Sequence, residues 1–109
     1  MHLDISEHNK RVLITLKDER LDAHNANELK TELLALFEQG KKDILIDLQF
    51  VRFIDSSGLG ALVSGFKNAI TNQGSLKLAS LQTQVKSMFE LTRLHRVFDI
   101  YPTPSDVPE

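Results

Sequence analysis

The sequence predicts an α/β fold in which helices pack on a mixed β-sheet. Two observations carry this. Apolar residues alternate at the N-terminus as in a strand hairpin, and three later segments switch to helical spacing with short apolar runs between them. The resulting order, β-β-α-β-α-β-α-β, is that of a layered α/β sandwich. Its strand–helix–strand runs call for parallel neighbours joined by right-handed crossovers.

Leu3 and Ile5 mark the first strand, and His8-Asn9-Lys10 is a turn. Val12, Ile14 and Leu16 alternate with Leu13, Thr15 and Lys17, so the second strand pairs with the first. After Asp22, Ala26, Leu29, Leu33, Leu36 and Phe37 form one apolar helical stripe. Asn25 with Glu28 fits a capping box at its start, and Gly40 fits its stop. Asp43 to Leu48 reads as a central strand, with Phe50, Val51, Phe53 and Ile54 continuing the buried segment. Leu59, Leu62, Val63, Phe66 and Ile70 mark a second helix, which Asn72-Gln73-Gly74 ends. Leu76 and Leu78 give another strand. Val85, Met88 and Phe89, continuing to Leu91 or Thr92, give a third helix with Met88 and Phe89 in the core, and Val97 to Tyr101 closes the sheet. Residues 1–101 form the domain. Residues 102–109, with Pro102, Pro104 and Pro108, read as a short, loose, Pro-rich tail.

Composition narrows the function classes. A chain of 109 residues is one domain's worth, and roughly two thirds of its unfolded surface can be buried without staples. With no Cys, disulfide scaffolds, thiolate catalysis and thiolate metal sites are excluded. A net charge of -2 offers no electrostatic case for nonspecific nucleic-acid or anionic-membrane binding. No apolar run approaches the roughly 18 residues of a membrane span, and Met1-His2-Leu3-Asp4-Ile5 lacks the design of a secretion signal. The expectation is a cytoplasmic protein without membrane insertion.

The most informative stretch is Phe53-Ile54-Asp55-Ser56-Ser57-Gly58-Leu59-Gly60, where a buried strand gives way to an amphipathic helix. Unpaired backbone N–H groups and a partial positive charge gather at such a helix start. One reading is a cap by Asp55 or Ser56, with the glycines permitting a tight turn. A phosphate-binding loop is a second, although neither Gly-rich phosphate pattern is present and no Lys lies in the turn. A nucleophilic Ser is a third, without a Gly-x-Ser-x-Gly elbow or an identifiable base. In the last reading the Ser is itself modified: a phosphoryl group there meets the helix dipole and free N–H groups with little change of fold.

This stretch, with Arg20-Leu21-Asp22 about thirty residues upstream, resembles the STAS domain of bacterial anti-sigma factor antagonists over about Leu3 to Ile100. The resemblance implies a mixed sheet with its helices packed on one face. It implies a binding protein rather than an enzyme, without catalytic residues or a cofactor. The first Ser of the pair, here Ser56, is then the residue phosphorylated by an anti-sigma factor with serine/threonine kinase activity, and a phosphatase resets it. Unmodified protein binds that partner and releases a sigma factor or other client. The surface implied for the partner comprises Asp22, His24, Asp55, Ser57, Gly58 and Leu59. Helical geometry is expected to turn Ser57 further towards the protein than Ser56. STAS domains also serve as constitutive binding subunits of transport or stress-signalling complexes, which is the alternative. One departure stands out: Glu19 occupies a position where the family usually has Gly.

Other residues carry less. His2, His8, His24 and His95 share no metal-ligand spacing, so no metal site is expected. Lys86, Arg93 and Arg96 make the third helix locally basic, as a solvated face does. No aromatic or Arg cluster accompanies them to suggest nucleic acid.

Overall fold

A computed structural model describes residues 1–108 of the chain. Its strands are β1 (Leu3–His8), β2 (Arg11–Leu16), β3 (Arg20–Leu21), β4 (Asp43–Asp47), β5 (Phe53–Ile54), β6 (Ser75–Ala79) and β7 (Ile100–Tyr101). The α-helices are α1 (Ala26–Glu38), α2 (Ser56–Thr71) and α3 (Thr83–Leu91).

The expected hairpin forms. Asn9 and Lys10 both take positive φ, 52° and 67°, between the paired residues His8 and Arg11. Two central residues of that hand match the twist of the strands they join. From β2 onward the sheet is parallel, in the order β1-β2-β4-β6-β7. The alternation read in β2 is that of a sheet face: Val12, Ile14 and Leu16 are buried, with half-buried residues between them. Those three join Leu29 and Leu33 of α1, Leu62 of α2 and Phe89 of α3 in one core, so all three helices lie on the same face. Gly65 lets α1 and α2 approach closely, since a Cβ there would lie 2.7 Å from Leu33 Cδ1. Asp47 ends β4 buried, its carboxylate accepting the backbone N–H and side-chain amide of Gln49.

Several expectations are corrected. The chain is not one long segment from Asp43 to Ile54. It leaves the main sheet after Asp47, and β5 pairs in parallel with β3 as a separate two-stranded sheet. Phe50 is exposed, with the Lys17 ammonium 4.7 Å from its ring centre. Val97 is exposed after a 3-10 turn at Leu94–Arg96, leaving only Ile100–Tyr101 as the closing strand. Ile70 and Leu91 end their helices facing solvent. Phe89 is fully buried and Met88 half-buried against the core.

The segment after Tyr101 is not loose. Residues Pro104–Asp106 form a 3-10 turn capped by Thr103, whose hydroxyl and backbone N–H both donate to the Asp106 carboxylate. Val107 then packs onto Leu45 and Ala79 on the face opposite the helices, and the Arg11 guanidinium donates to the Pro108 carbonyl. Without this strap, apolar side chains on that face would meet water. Among the described residues, no helix is long and apolar enough to cross a membrane.

Candidate functional site

The site is assembled by the smaller sheet. Pairing of Arg20 with Phe53 and of Leu21 with Ile54 brings the Arg20-Leu21-Asp22 loop beside the start of α2. The backbone N–H groups of Phe53 and Asp55 donate to the carbonyls of Glu19 and Leu21. The Arg20 guanidinium lies 4.2 Å from the Phe53 ring centre, a cation–π contact on the outside of the same pair. Glu19 has no positive φ, so the backbone here does not need glycine. Its side chain is exposed, with an oxygen 3.8 Å from the Arg52 guanidinium.

Asp55 is the N-cap of α2, one of the two residues expected to serve. Its Oδ1 accepts the Gly58 N–H at 2.9 Å, and its carbonyl accepts the Leu59 N–H at 3.0 Å. Oδ2 accepts the Ala23 N–H at 3.3 Å, which ties the helix start to the Asp22 loop. Ser56 and Ser57 hold the first two helical positions, where backbone N–H groups have no intrahelical acceptor. Both serines are exposed.

Gly58 and Leu59 were expected on the partner surface, and the structure buries them. A Cβ at Gly58 would lie 2.3 Å from the Leu21 carbonyl oxygen, so this glycine is what lets α2 start against β3. Leu59 is 5% exposed and belongs to the core. They shape the turn from below. Gly60 differs, because a Cβ there would meet nothing within 4 Å.

Asp22 organises its own loop. Its carboxylate accepts the His24 backbone N–H at 3.0 Å and the Arg20 Nε–H at 3.1 Å. These donors, the His24 N–H foremost, hold its carboxyl below the ordinary value of 3.8. The His24 ring is almost fully exposed, its Nδ1 3.5 Å from the same carboxylate. Asn25 is the N-cap of α1 but makes no side-chain cap bond, so the expected capping box does not form. Its Oδ1 instead accepts the Asp22 N–H, and its amide donates to the Arg20 carbonyl. Glu28 is drawn away to the Met1 ammonium at 2.8 Å.

Sequence reasoning missed Gln84. From α3, its Oε1 accepts the Ile54 N–H at 3.0 Å and its Nε2 donates to the Ile54 carbonyl at 3.3 Å. A lone polar residue on a short helix carries no periodic signal that would single it out.

A sequence model of the STAS domain matches residues 3–107. The anti-sigma-B factor antagonist of Bacillus subtilis (strain 168) is 33% identical over 100 residues, covering 92% of this chain and 90% of that protein. A Thermotoga maritima structure assigned to the anti-sigma factor antagonists superposes with a TM-score of 0.86 at 26% identity, covering 95% of this chain and 89% of the other. The Bacillus cell fate determinant SpoIIAA in its phosphorylated form has a TM-score of 0.75 at 19% identity, covering 96% and 95%.

Proposed function

From a chain that belongs to the STAS domain family, we propose an anti-sigma factor antagonist switched by phosphorylation of Ser56. Unmodified, it binds an anti-sigma factor with serine/threonine kinase activity and so frees a sigma factor or other client. Modified, it lets go until a phosphatase restores the hydroxyl. The protein works in the cytoplasm as a binding module, and its part in the chemistry is that of a substrate.

The observation that carries the reading is the exposure of Ser56 at the first position of a 16-residue helix whose cap is already supplied by Asp55. The hydroxyl is therefore not needed for folding. In the transfer, Ser56 Oγ attacks the γ-phosphorus of ATP held by the partner, loses its proton, and ADP leaves. The product adds about -1.5 to -2 charges at neutral pH. The neighbouring Asp55 carboxylate repels it, while the N-terminal dipole of α2 offsets this by roughly 0.3–1 kcal/mol. Little change of fold follows. The partner surface, built on Ser56, Ser57, His24 and the half-buried Asp55, feels the charge instead; Asp22, expected on that surface, is buried and shapes its loop from below. The regulatory curated relative and the superposition on a phosphorylated neighbour of the same fold support this reading.

Titration calorimetry against the cognate anti-sigma factor tests it, with circular dichroism as the control for fold. A coupling of about 1–3 kcal/mol weakens binding roughly 5- to 150-fold on phosphorylation. Ser56→Ala keeps the high affinity, and Ser56→Asp falls between, having one charge and fewer acceptor oxygens. Equal affinity for all forms would favour a constitutive binding subunit instead.

A further inference from the structure

We infer that Gln84 is a positioning residue for Ser56, acting through strand β5. Strand β5 has only two residues. Phe53 and Asp55 turn their N–H groups towards Glu19 and Leu21, so Ile54, between them, turns its N–H and C=O to the opposite edge. Among the described residues, no strand lies on that side of β5. Ile54 is completely buried, and an unpaired peptide group there would be costly.

The Gln84 amide closes this edge. Its oxygen takes the Ile54 N–H and its nitrogen donates to the Ile54 C=O, as a neighbouring strand's peptide would. Only a side chain with one acceptor and one donor in a planar group can do both. Asn shares the chemistry with a shorter reach, and Glu at neutral pH lacks the donor. The next residue after Ile54 is Asp55, whose carboxylate starts α2 and holds Ala23. Gln84 thus couples α3 to the height and orientation of the helix start that presents Ser56. Phosphoryl transfer needs the attacking oxygen in line with the phosphorus, so displacement of this turn is felt as rate.

This inference rests on the proposed role of Ser56, and its test separates the two. Gln84→Met and Gln84→Glu are compared with wild type and with Leu36→Ala, a core variant in the last turns of α1, away from the start of α2. Backbone amide exchange at Ile54 and Gly58 is measured together with the efficiency of Ser56 phosphorylation by the cognate kinase. Gln84→Met should lose protection at Ile54 beyond its loss of global stability, and phosphorylation should slow roughly tenfold or more. Gln84→Glu, keeping the acceptor, should lose less protection at the Ile54 N–H. Leu36→Ala should lower stability and leave phosphorylation of the folded protein unchanged. Unaltered Ile54 protection in Gln84→Met, or an equal slowing by Leu36→Ala, would overturn the assignment. If wild-type protein accepts no phosphate on Ser56, the proposed function fails, and Ile54 exchange alone then decides for or against Gln84.

Discussion

The Asp55 carboxylate reaches across the chain to the backbone N–H of Ala23 at 3.3 Å while its other oxygen caps α2. One side chain therefore joins the two loops of the site. Asp55→Ala should cost about 1 kcal/mol of stability from the lost cap, and the Asp22–Asn25 loop should loosen with it. Asp55→Asn keeps an acceptor for Gly58 and should cost less. Urea denaturation gives the stabilities, and amide exchange at Ala23 reports the loop.

Gly58 and Gly60 should respond to alanine with opposite signs. At Gly58 the new methyl would collide with the Leu21 carbonyl, backbone that cannot yield cheaply, so a loss of about 1–3 kcal/mol is expected. At Gly60 it would enter open space, and replacing a mid-helix glycine should stabilise by roughly 0.5–1 kcal/mol. Denaturation of the two variants side by side checks both signs.

Acidification should act through Asp22. Because its folded carboxyl is held below 3.8, the unfolded chain binds the proton first as pH falls. The contribution is complete above the unfolded value and is lost as pH drops through the folded one. Asp22→Asn should therefore be less stable than wild type by a constant margin near neutrality, and that margin should shrink below about pH 4. Stability curves between neutral and acidic pH read this directly.

The C-terminal strap should contribute measurably. Val107→Ala removes two buried methyl groups from the contact with Leu45 and Ala79, for an expected loss of about 1–2 kcal/mol. An unchanged unfolding midpoint would mean that the segment does not hold the sheet in solution.

Much of this architecture was legible because period and burial coincide. Ala26, Leu29, Leu33, Leu36 and Phe37 announced α1, and all five are buried. Gly40 announced its end and has φ +83°. The strand-to-helix turn, with its cap narrowed to Asp55 or Ser56, was legible for the same reason, since polar residues stood where both patterns break; Asp55 serves. What was not legible depends on partners distant in sequence. Strands β3 and β5 have two residues each and so no period, and only their mutual pairing defines them. Asn25 and Glu28 have the spacing of a capping box, but Asp22 and the Met1 ammonium compete for them and win. Val107 lies among prolines that argue against regular structure, yet it needs only an apolar face to dock on. Gln84 is visible only once Ile54 is seen to lack a neighbour.

The central claim is that Ser56 is the switch, and the most direct measurement is intact mass with peptide mapping after incubation with the cognate kinase and ATP. Wild type should gain one phosphoryl group, mapped to Ser56, and Ser56→Ala should gain none while Ser57→Ala is still modified. A phosphate mapped to Ser57, Thr71 or Ser75, or a Ser56→Ala variant modified as fully as wild type, would contradict the account.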